Sequence, residues 1–401
     1  MTFDKLSRIA ALRPRSPEEV KTADSAGRQE RHARLASLLG AELRSTPRGS
    51  HLAVTCRVQG PQSCTIGPRA RRLLAPHAQD QVAETRRWLF LDTETTGLSG
   101  GTGTYAFLVG LGWWEGDRFV VEQLFMRDHG EEPSLLFDLS QRLAEREVLV
   151  TFNGKSFDWP LLETRYRMTR AAVESPAAHL DLLHPARQLW RLRLKSVALS
   201  ELERQVLQID RGEDIPSHTI PGKYFDFLRG GPVEPIVEIF RHNRLDLIGL
   251  AELAVKITML MEEPDGGDAG EVFGLSRMLQ RRGEEQLAAR GYQRALTFGL
   301  PQGADRVARR ELALMAKRAG DYLTANALWQ ELLGDSVDGI QAYEQLAIYH
   351  EHLARDSRRA LELTREALIR LREGLLAGRI DPHQHRRWHD AFRHRLSRLE
   401  K

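Results

Sequence analysis

The apolar positions divide the chain into three stretches of different texture. Up to residue 87 they are scattered. Ser16-Pro17-Glu18-Glu19 reads as a helix start, with a capping serine, proline at the first helical position and acids in the first turn. Residues 51–58 (HLAVTCRV) read as a strand, and Gly60, Pro61, Gly67 and Pro68 mark loop beyond it. From residue 88 the pattern sharpens. Residues 88–91 (WLFL) are a short apolar run, as a strand buried on both faces requires. Residues 104–114 and 118–125 predict two more strands, joined by a turn at Glu115-Gly116-Asp117. Residues 133–146 then set Leu135, Leu136, Leu139 and Leu143 on one helical face. A fourth strand is predicted over 148–152 (VLVTF), and a helix opens at Asp158 with Pro160 in its first turn. A longer helix is predicted over 235–261. Three adjacent strands, a helix, a strand and further helices predict an α/β domain with a sheet flanked by helices.

Residues 264–270 (PDGGDAG) are a linker by composition, and beyond them the pattern is helical. The segment from Leu312 resembles the one from Leu346, 34 residues on, with one residue inserted near Arg355 to keep Ala325 and Ala360 aligned. A weaker third copy covers 279–296, where Gly283 and Ala288 match Gly320 and Ala325. This spacing is the tetratricopeptide period, in which helix hairpins bury their apolar faces by stacking. Unrelated amphipathic helices with a chance period are the plainer alternative. The expected organisation is therefore a basic appendage over 1–87, an α/β domain over 88–263, a linker over 264–270 and an all-α repeat domain over 271–401.

Composition narrows the classes. At 401 residues, 41% hydrophobic and 28% charged, the chain is long enough for two or three units with buried cores. No apolar run approaches the roughly 20 residues of a membrane span. The N-terminus is broken by Asp4, Lys5, Arg8 and Arg13 and lacks a secretory apolar region, so a cytoplasmic location is expected. Cys56 and Cys64 could pair, but without a secretory signal they read more simply as reduced thiols. The net charge of +3 hides a segregation. Residues 1–87 carry 16 Lys+Arg against 8 Asp+Glu, residues 88–270 carry 19 against 29, and residues 271–401 carry 23 against 18. An acidic centre suits a chamber that binds cations, and basic flanks suit a polyanion, although arginines that merely solvate helices give the same count.

Phosphodiester cleavage needs a water made nucleophilic and a leaving oxygen stabilised, and divalent cations held by several acidic oxygens can do both. Asp92 and Glu94 follow the apolar run 88–91, and alternation places them on one side of an extended chain. Asp158, ahead of a proline-started helix, reads in isolation as an N-cap. His242 and Asp246 stand four apart and share a helical face.

Residues 92–98 (DTETTGL) resemble the first motif of the DnaQ-like (DEDD) 3′–5′ exonuclease superfamily, whose fold is ribonuclease-H-like and whose members use four acidic residues and two magnesium ions. Residues 152–160 (FNGKSFDWP) are similar to the N-x-x-x-F-D-x-P second motif of family B polymerase proofreading domains. That likeness implies Asp158 as third ligand, Phe157 packing behind it and Asn153 near the scissile region. Residues 241–246 (RHNRLD) resemble the third motif, with Asp246 as fourth ligand. His242 departs from the pattern: a tyrosine is usual four before the aspartate, whereas the histidine subtype uses a spacing of five. Residues 181–207, 214–216 and 224–231 resemble the bacterial YprB-type subgroup, some members of which carry C-terminal tetratricopeptide repeats. The resemblance covers about 88–260 plus the repeats. It implies Asp92, Glu94, Asp158 and Asp246 holding two Mg²⁺ or Mn²⁺ ions, His242 deprotonating or orienting water, and Thr95, Asn153 and Phe157 beside the substrate.

Weaker signals surround this set. Residues 99–104 (SGGTGT) lack the Gly-Lys-Ser/Thr of a phosphate loop and read as a turn near the metals. Arg191 and Arg193, beside Trp190, offer cations and a stacking ring to single-stranded nucleic acid, or simply an exposed segment. Asp181 and His184 read as a strand end and a helix cap, or as groups supporting the ligands. His385 and His389 have metal spacing but no third ligand. The expected activity is a metal-dependent 3′–5′ exonuclease on single-stranded DNA or RNA. The rivals are a nucleic-acid-binding scaffold that works through a protein partner on residues 271–401, and a structure-specific endonuclease of the same fold.

Overall fold

A computed structural model describes residues 17–97, 103–173, 175–263, 266–334 and 336–401. The helix-capping role of Ser16, most of the glycine-rich 99–104 segment and Pro264-Asp265 of the linker lie outside the described residues. Two compact units result, one built from the chain up to 186 together with 196–262, the other from 187–195 together with 263–401.

The first unit runs α1 (Pro17–Leu39), β1 (Glu42–Thr46), β2 (Gly49–Val58), α2 (Pro68–Leu74), β3 (Trp88–Thr95), β4 (Ala106–Glu115), β5 (Arg118–Phe125), α3 (Glu132–Ala144), β6 (Val148–Thr151), α4 (Asp158–Met168) and β7 (Ala178–Asp181). It continues with α5 (Leu183–Trp190), which passes into the second unit, then the short turn α6 (Leu199–Leu202), α7 (Ile220–Leu228) and the long α8 (Glu234–Glu262). The strands make one mixed sheet in the order β1-β2-β5-β4-β3-β6-β7. β6 and β7 run parallel to β3, and the other pairings are antiparallel. Trp88 to Leu91 are essentially inaccessible to solvent, as the apolar run requires. Helix α8 packs on the sheet and places Ile236, Ile239 and Phe240 in the same core as its strands, with Leu247 and Leu250 also buried.

The expected appendage at 1–87 is corrected for its described part. Residues 42–58 supply two strands of the sheet, with Leu52 opposite Phe125 and Val54 opposite Gln123, and Leu35 of α1 lies in the same core. The physical reason is edge protection: β5 has two edges, and β2 covers the one that β4 leaves open. The pairing was hard to see because β1 (ELRST) is a largely exposed edge strand with no apolar pattern.

The second unit is helical: α9 (Ala269–Arg281), α10 (Glu285–Phe298), α11 (Gln302–Arg318), α12 (Tyr322–Leu332), α13 (Val337–His352), α14 (Ser357–Leu376) and α15 (Pro382–Leu399), each packed on the next. Three of its turns repeat one geometry. Gly283, Gly320 and Arg355 have φ of 78°, 80° and 56°, and five residues later Ala288, Ala325 and Ala360 are buried. Asp321 and Asp356, each following the left-handed residue, cap the next helix. Arg355 thus takes up at a helix end the conformation that glycine supplies in the other two copies. Cys56 and Cys64 are free thiols. Among the described residues no helix is long and apolar enough to cross a membrane.

Candidate active site

Pairing of β3 with β6 stops at Phe90–Val150, so the second half of β3 projects beyond the parallel strands and presents Asp92 and Glu94 at their carboxyl ends. Asp158 starts α4 a few residues after β6 ends, and Asp181 closes β7. Helix α8 brings His242, Asn243 and Asp246 to the same place. One donor atom each from Glu94, His242 and Asp246 falls within a 4.8 Å cluster. His242 Nε2 lies 3.3 Å from Asp246 Oδ2 and 3.9 Å from Glu94 Oε1. Thr93 Oγ1 donates to Asp158 Oδ1 at 2.5 Å.

The electrostatics are those of crowded like charges. Burial, then the charges of Asp246, Glu94 and Asp158, push the Asp92 carboxyl well above its ordinary value, against a hydrogen bond from Asn243. Glu94 is raised in the same way, by burial and then by Asp246, Asp158 and Asp214. Asp158 is also raised, chiefly by burial, with the Thr93 hydrogen bond opposing. A divalent cation would relieve this repulsion, and a donor set rich in carboxylate oxygens fits such an ion.

Residues not singled out from the sequence complete the site. Asp214 accepts from His242 Nδ1 at 2.8 Å. Its carboxyl is held below the ordinary value: burial would raise it, but the His242 hydrogen bond and charge, then Arg211, outweigh burial. Arg211 donates to Asp246 Oδ1 at 2.5 Å, to Asp214 Oδ2 at 3.1 Å and, through two nitrogens, to buried Glu203. Arg241 of α8 holds the loop beneath by bonding the carbonyls of Arg211 and Glu213. The sequence showed Asp214 only inside the family-like 214–216 stretch. Asn243, fully buried, bonds Asp92 Oδ2 through Nδ2 at 2.8 Å. Its signal was a polar residue in the apolar stripe 236, 239, 240, 243, 247, 250 of α8.

Other expectations fare differently. Phe157 does not pack behind Asp158 but is 58% exposed, free to meet a ligand. Asn153 has φ of 67°, and its backbone N–H and that of Lys155 donate to Asp181, which also caps α5 through Leu183. Asp181 therefore ties the second motif to the end of β7. Thr95 Oγ1 is turned onto the Gly97 carbonyl at 2.9 Å. Arg191 and Arg193 belong to the second unit, where Arg193 pairs with Asp268 at 2.6 Å. Trp190 is buried and donates to Glu271, so its ring offers no stacking platform. A cleft of about 400 Å³ opens beside Asp92, His242 and Asp246, with Phe152, Leu199, Ile215 and Pro216 as its apolar wall.

The family model described as RNase_H superfamily matches residues 89–258, a range holding all four carboxylates and His242. The chain is 30% identical over 287 residues to the protein named "Uncharacterized protein YprB" of Bacillus subtilis (strain 168), across 70% of this chain and 68% of that protein. Among solved structures it is similar to the family B DNA polymerase of the hyperthermophilic archaeon Pyrobaculum calidifontis, at 17% identity and a TM-score of 0.36 over 58% of this chain. The chain spans 29% of that polymerase.

Proposed function

The chain belongs to the ribonuclease H superfamily, and from that premise we propose that it is a divalent-metal-dependent nuclease removing nucleotides from the 3′ end of single-stranded DNA or RNA. The observation that carries this reading is the convergence of Asp92, Glu94, Asp158 and Asp246: burial and neighbouring site carboxylates push Asp92 and Glu94 toward protonation, and burial with the charge of Asp181 does so for Asp158. These four carboxylates would hold two Mg²⁺ or Mn²⁺ ions. Such ions acidify a bound water and stabilise charge on the leaving oxygen. With Asp214 accepting from Nδ1–H, the Nε2 of His242 is the acceptor that faces Glu94 and Asp246, placed to take a proton from the attacking water. The apolar wall of the neighbouring cleft and exposed Phe157 offer surfaces for the sugar or base of the substrate strand. Polarity and end-dependence rest on the likeness of the three acidic motifs to DnaQ-like exonucleases.

For residues 271–401 the repeated left-handed turn and buried alanine support a tetratricopeptide-like array, suited to holding a protein partner. A cytoplasmic setting fits this reading.

The test is degradation of 3′- and 5′-labelled single-stranded RNA and DNA with Mn²⁺ or Mg²⁺, comparing the wild type with Asp92→Ala/Glu94→Ala. A ladder on the 5′-labelled strand, reduced on the order of 10³-fold in the variant, is expected. Cleavage of circular strands would replace the exonuclease with an endonuclease. Wild-type protein that cuts nothing would sink the nuclease reading.

A further inference from the structure

The sheet places three residues of adjacent strands in one row. Asp92 of β3 stands opposite Gly110 of β4, and Gly110 stands opposite Gln123 of β5. Strands lie about 4.8 Å apart, so Asp92 and Gln123 are roughly 10 Å apart and cannot meet directly. Asn243 of α8 bridges them across the glycine. Its Nδ2 is 2.8 Å from Asp92 Oδ2, and its Oδ1 is 2.8 Å from Gln123 Nε2. A Cβ on Gly110 would come within 2.2 Å of Asn243 Oδ1 and 2.8 Å of its Cγ and Nδ2. The bridge exists only because β4 has no side chain at that point.

The orientation of both amides follows from one backbone carbonyl. Gln123 Nε2 also lies 2.8 Å from the Phe240 oxygen, which can only accept. Nitrogen must therefore occupy that end of Gln123. The facing atom of Asn243 must then be its oxygen, which leaves its NH₂ to donate to Asp92. Gln123 is 1% exposed and Asn243 has no exposure, so neither can exchange these partners for water. Asp92 sits among repelling carboxylates that favour turning it away, and the amide holds one of its oxygens against this.

We propose that Gln123 and Asn243, seated over Gly110, are positioning residues that fix the Asp92 carboxylate for the cation that the site takes. The inference rests on the metal-site reading above, and not on cleavage itself. Supporting groups around metal ligands typically contribute about 10–100-fold in affinity or activity.

The experiment uses the full chain and Mn²⁺ alone, by calorimetry without substrate, for the wild type, Asn243→Ala, Gln123→Met and Gly110→Ala. Melting temperatures and nuclease kcat and KM are measured alongside. Each variant is expected to bind Mn²⁺ about 10–100-fold more weakly. kcat should fall while the KM for nucleic acid stays within about twofold, and Gln123→Met/Asn243→Ala should be no worse than Asn243→Ala alone, because both act through one path. Gln123→Met keeps size and apolar packing, so it reads the hydrogen bond even where Asn243→Ala fails to fold. Folded variants with unchanged Mn²⁺ affinity, however much their melting temperatures drop, would overturn the proposal. So would a wild type that binds no Mn²⁺. A wild type that binds Mn²⁺ but cleaves nothing sinks only the nuclease reading, and the affinities still decide the role of the bridge.

Discussion

Glu122 and Gln123 are neighbours on β5, and their side chains leave the sheet on opposite faces. Glu122 enters a buried cluster of alternating sign. Arg44 bonds both Glu122 and Asp138, Arg142 bonds Glu122 at 2.7 Å, and His51 lies between Ser134 and Asp138. There the Asp138 carboxyl is held below its ordinary value: burial raises it, but the close approach of His51 at 3.2 Å and the hydrogen bond and charge of Arg44 prevail. Gln123 enters the bridge to Asp92, where burial and like charges act together and the carboxyl rises. Both clusters are deeply set. Burial raises both carboxyls, and the sign of the neighbours then decides whether the rise is reversed, as at Asp138, or deepened, as at Asp92. Ser134, His51 and Asp138 have the residue types of a nucleophilic triad, but Ser134 and His51 have no exposure, so no substrate reaches them.

The largest effect expected on the self-satisfied side is that of Glu122→Ala. It removes the carboxylate that two guanidiniums share, leaving Arg44 with Asp138 and Glu42 and Arg142 with Glu145, and breaking a buried pair costs about 3–5 kcal/mol. Arg44 and Arg142 remain 20% and 27% exposed and can turn partly to water, so a loss of about 2–3 kcal/mol is expected in urea unfolding at pH 7. Mn²⁺ affinity should stay within about twofold of the wild type. A parallel loss of metal binding would mean that the two faces of β5 are coupled, and the contrast would fail.

On the cation-seeking side the expected sign is reversed. In the chelated protein Asp92→Asn should raise the melting temperature near pH 8 while removing activity. The folded-state pKa of Asp92 is raised, so its penalty is absent below the ordinary carboxylate range and grows as pH rises above about 4. The gain should therefore shrink on acidification, and adding Mn²⁺ should reverse the order by favouring the wild type. Asp92→Asn that destabilises the chelated protein at pH 8 would show that the carboxylates are not in conflict.

The contrast also explains what could be read in advance. Asp92, Glu94, Asp158, His242 and Asp246 were legible because each stands in a short motif on a local element: the end of an apolar run, a helix start, one helical face. Strands β2 to β6 were legible too, as apolar runs at 51–58, 88–91, 104–114, 118–125 and 148–152, but β1, β7 and the order in which the strands pair were not. β1 joins the sheet by backbone pairing, which leaves little trace in an exposed edge sequence, and nothing local shows that β2 pairs with β5. Asp214 and Arg211 lie in a loop whose charges look like ordinary solvated ones until α8 comes to meet them. Gln123, Gly110 and Asn243 each look like a defect in an apolar element, and only the strand register makes them one device. Phe157 and Trp190 show the converse error, since an aromatic residue beside a motif says nothing of which way its ring points.

The smallest expected effect sharpens the same comparison from the other sign. Asp138→Asn keeps the shape of the side chain and removes the charge that Arg44 and His51 meet. The folded-state pKa of Asp138 is lowered, so its contribution is present above the ordinary carboxylate value of about 4 and is lost as pH falls through the folded value. With Arg44 partly exposed, the loss at pH 7 should be only about 0.5–1 kcal/mol. Melting curves of the wild type and Asp138→Asn should therefore differ at pH 7 and converge on acidification below about pH 4, where the wild-type carboxyl also becomes neutral. A difference that persists undiminished below that range would assign the role of Asp138 to packing and remove charge compensation as the reason the two faces of β5 behave differently.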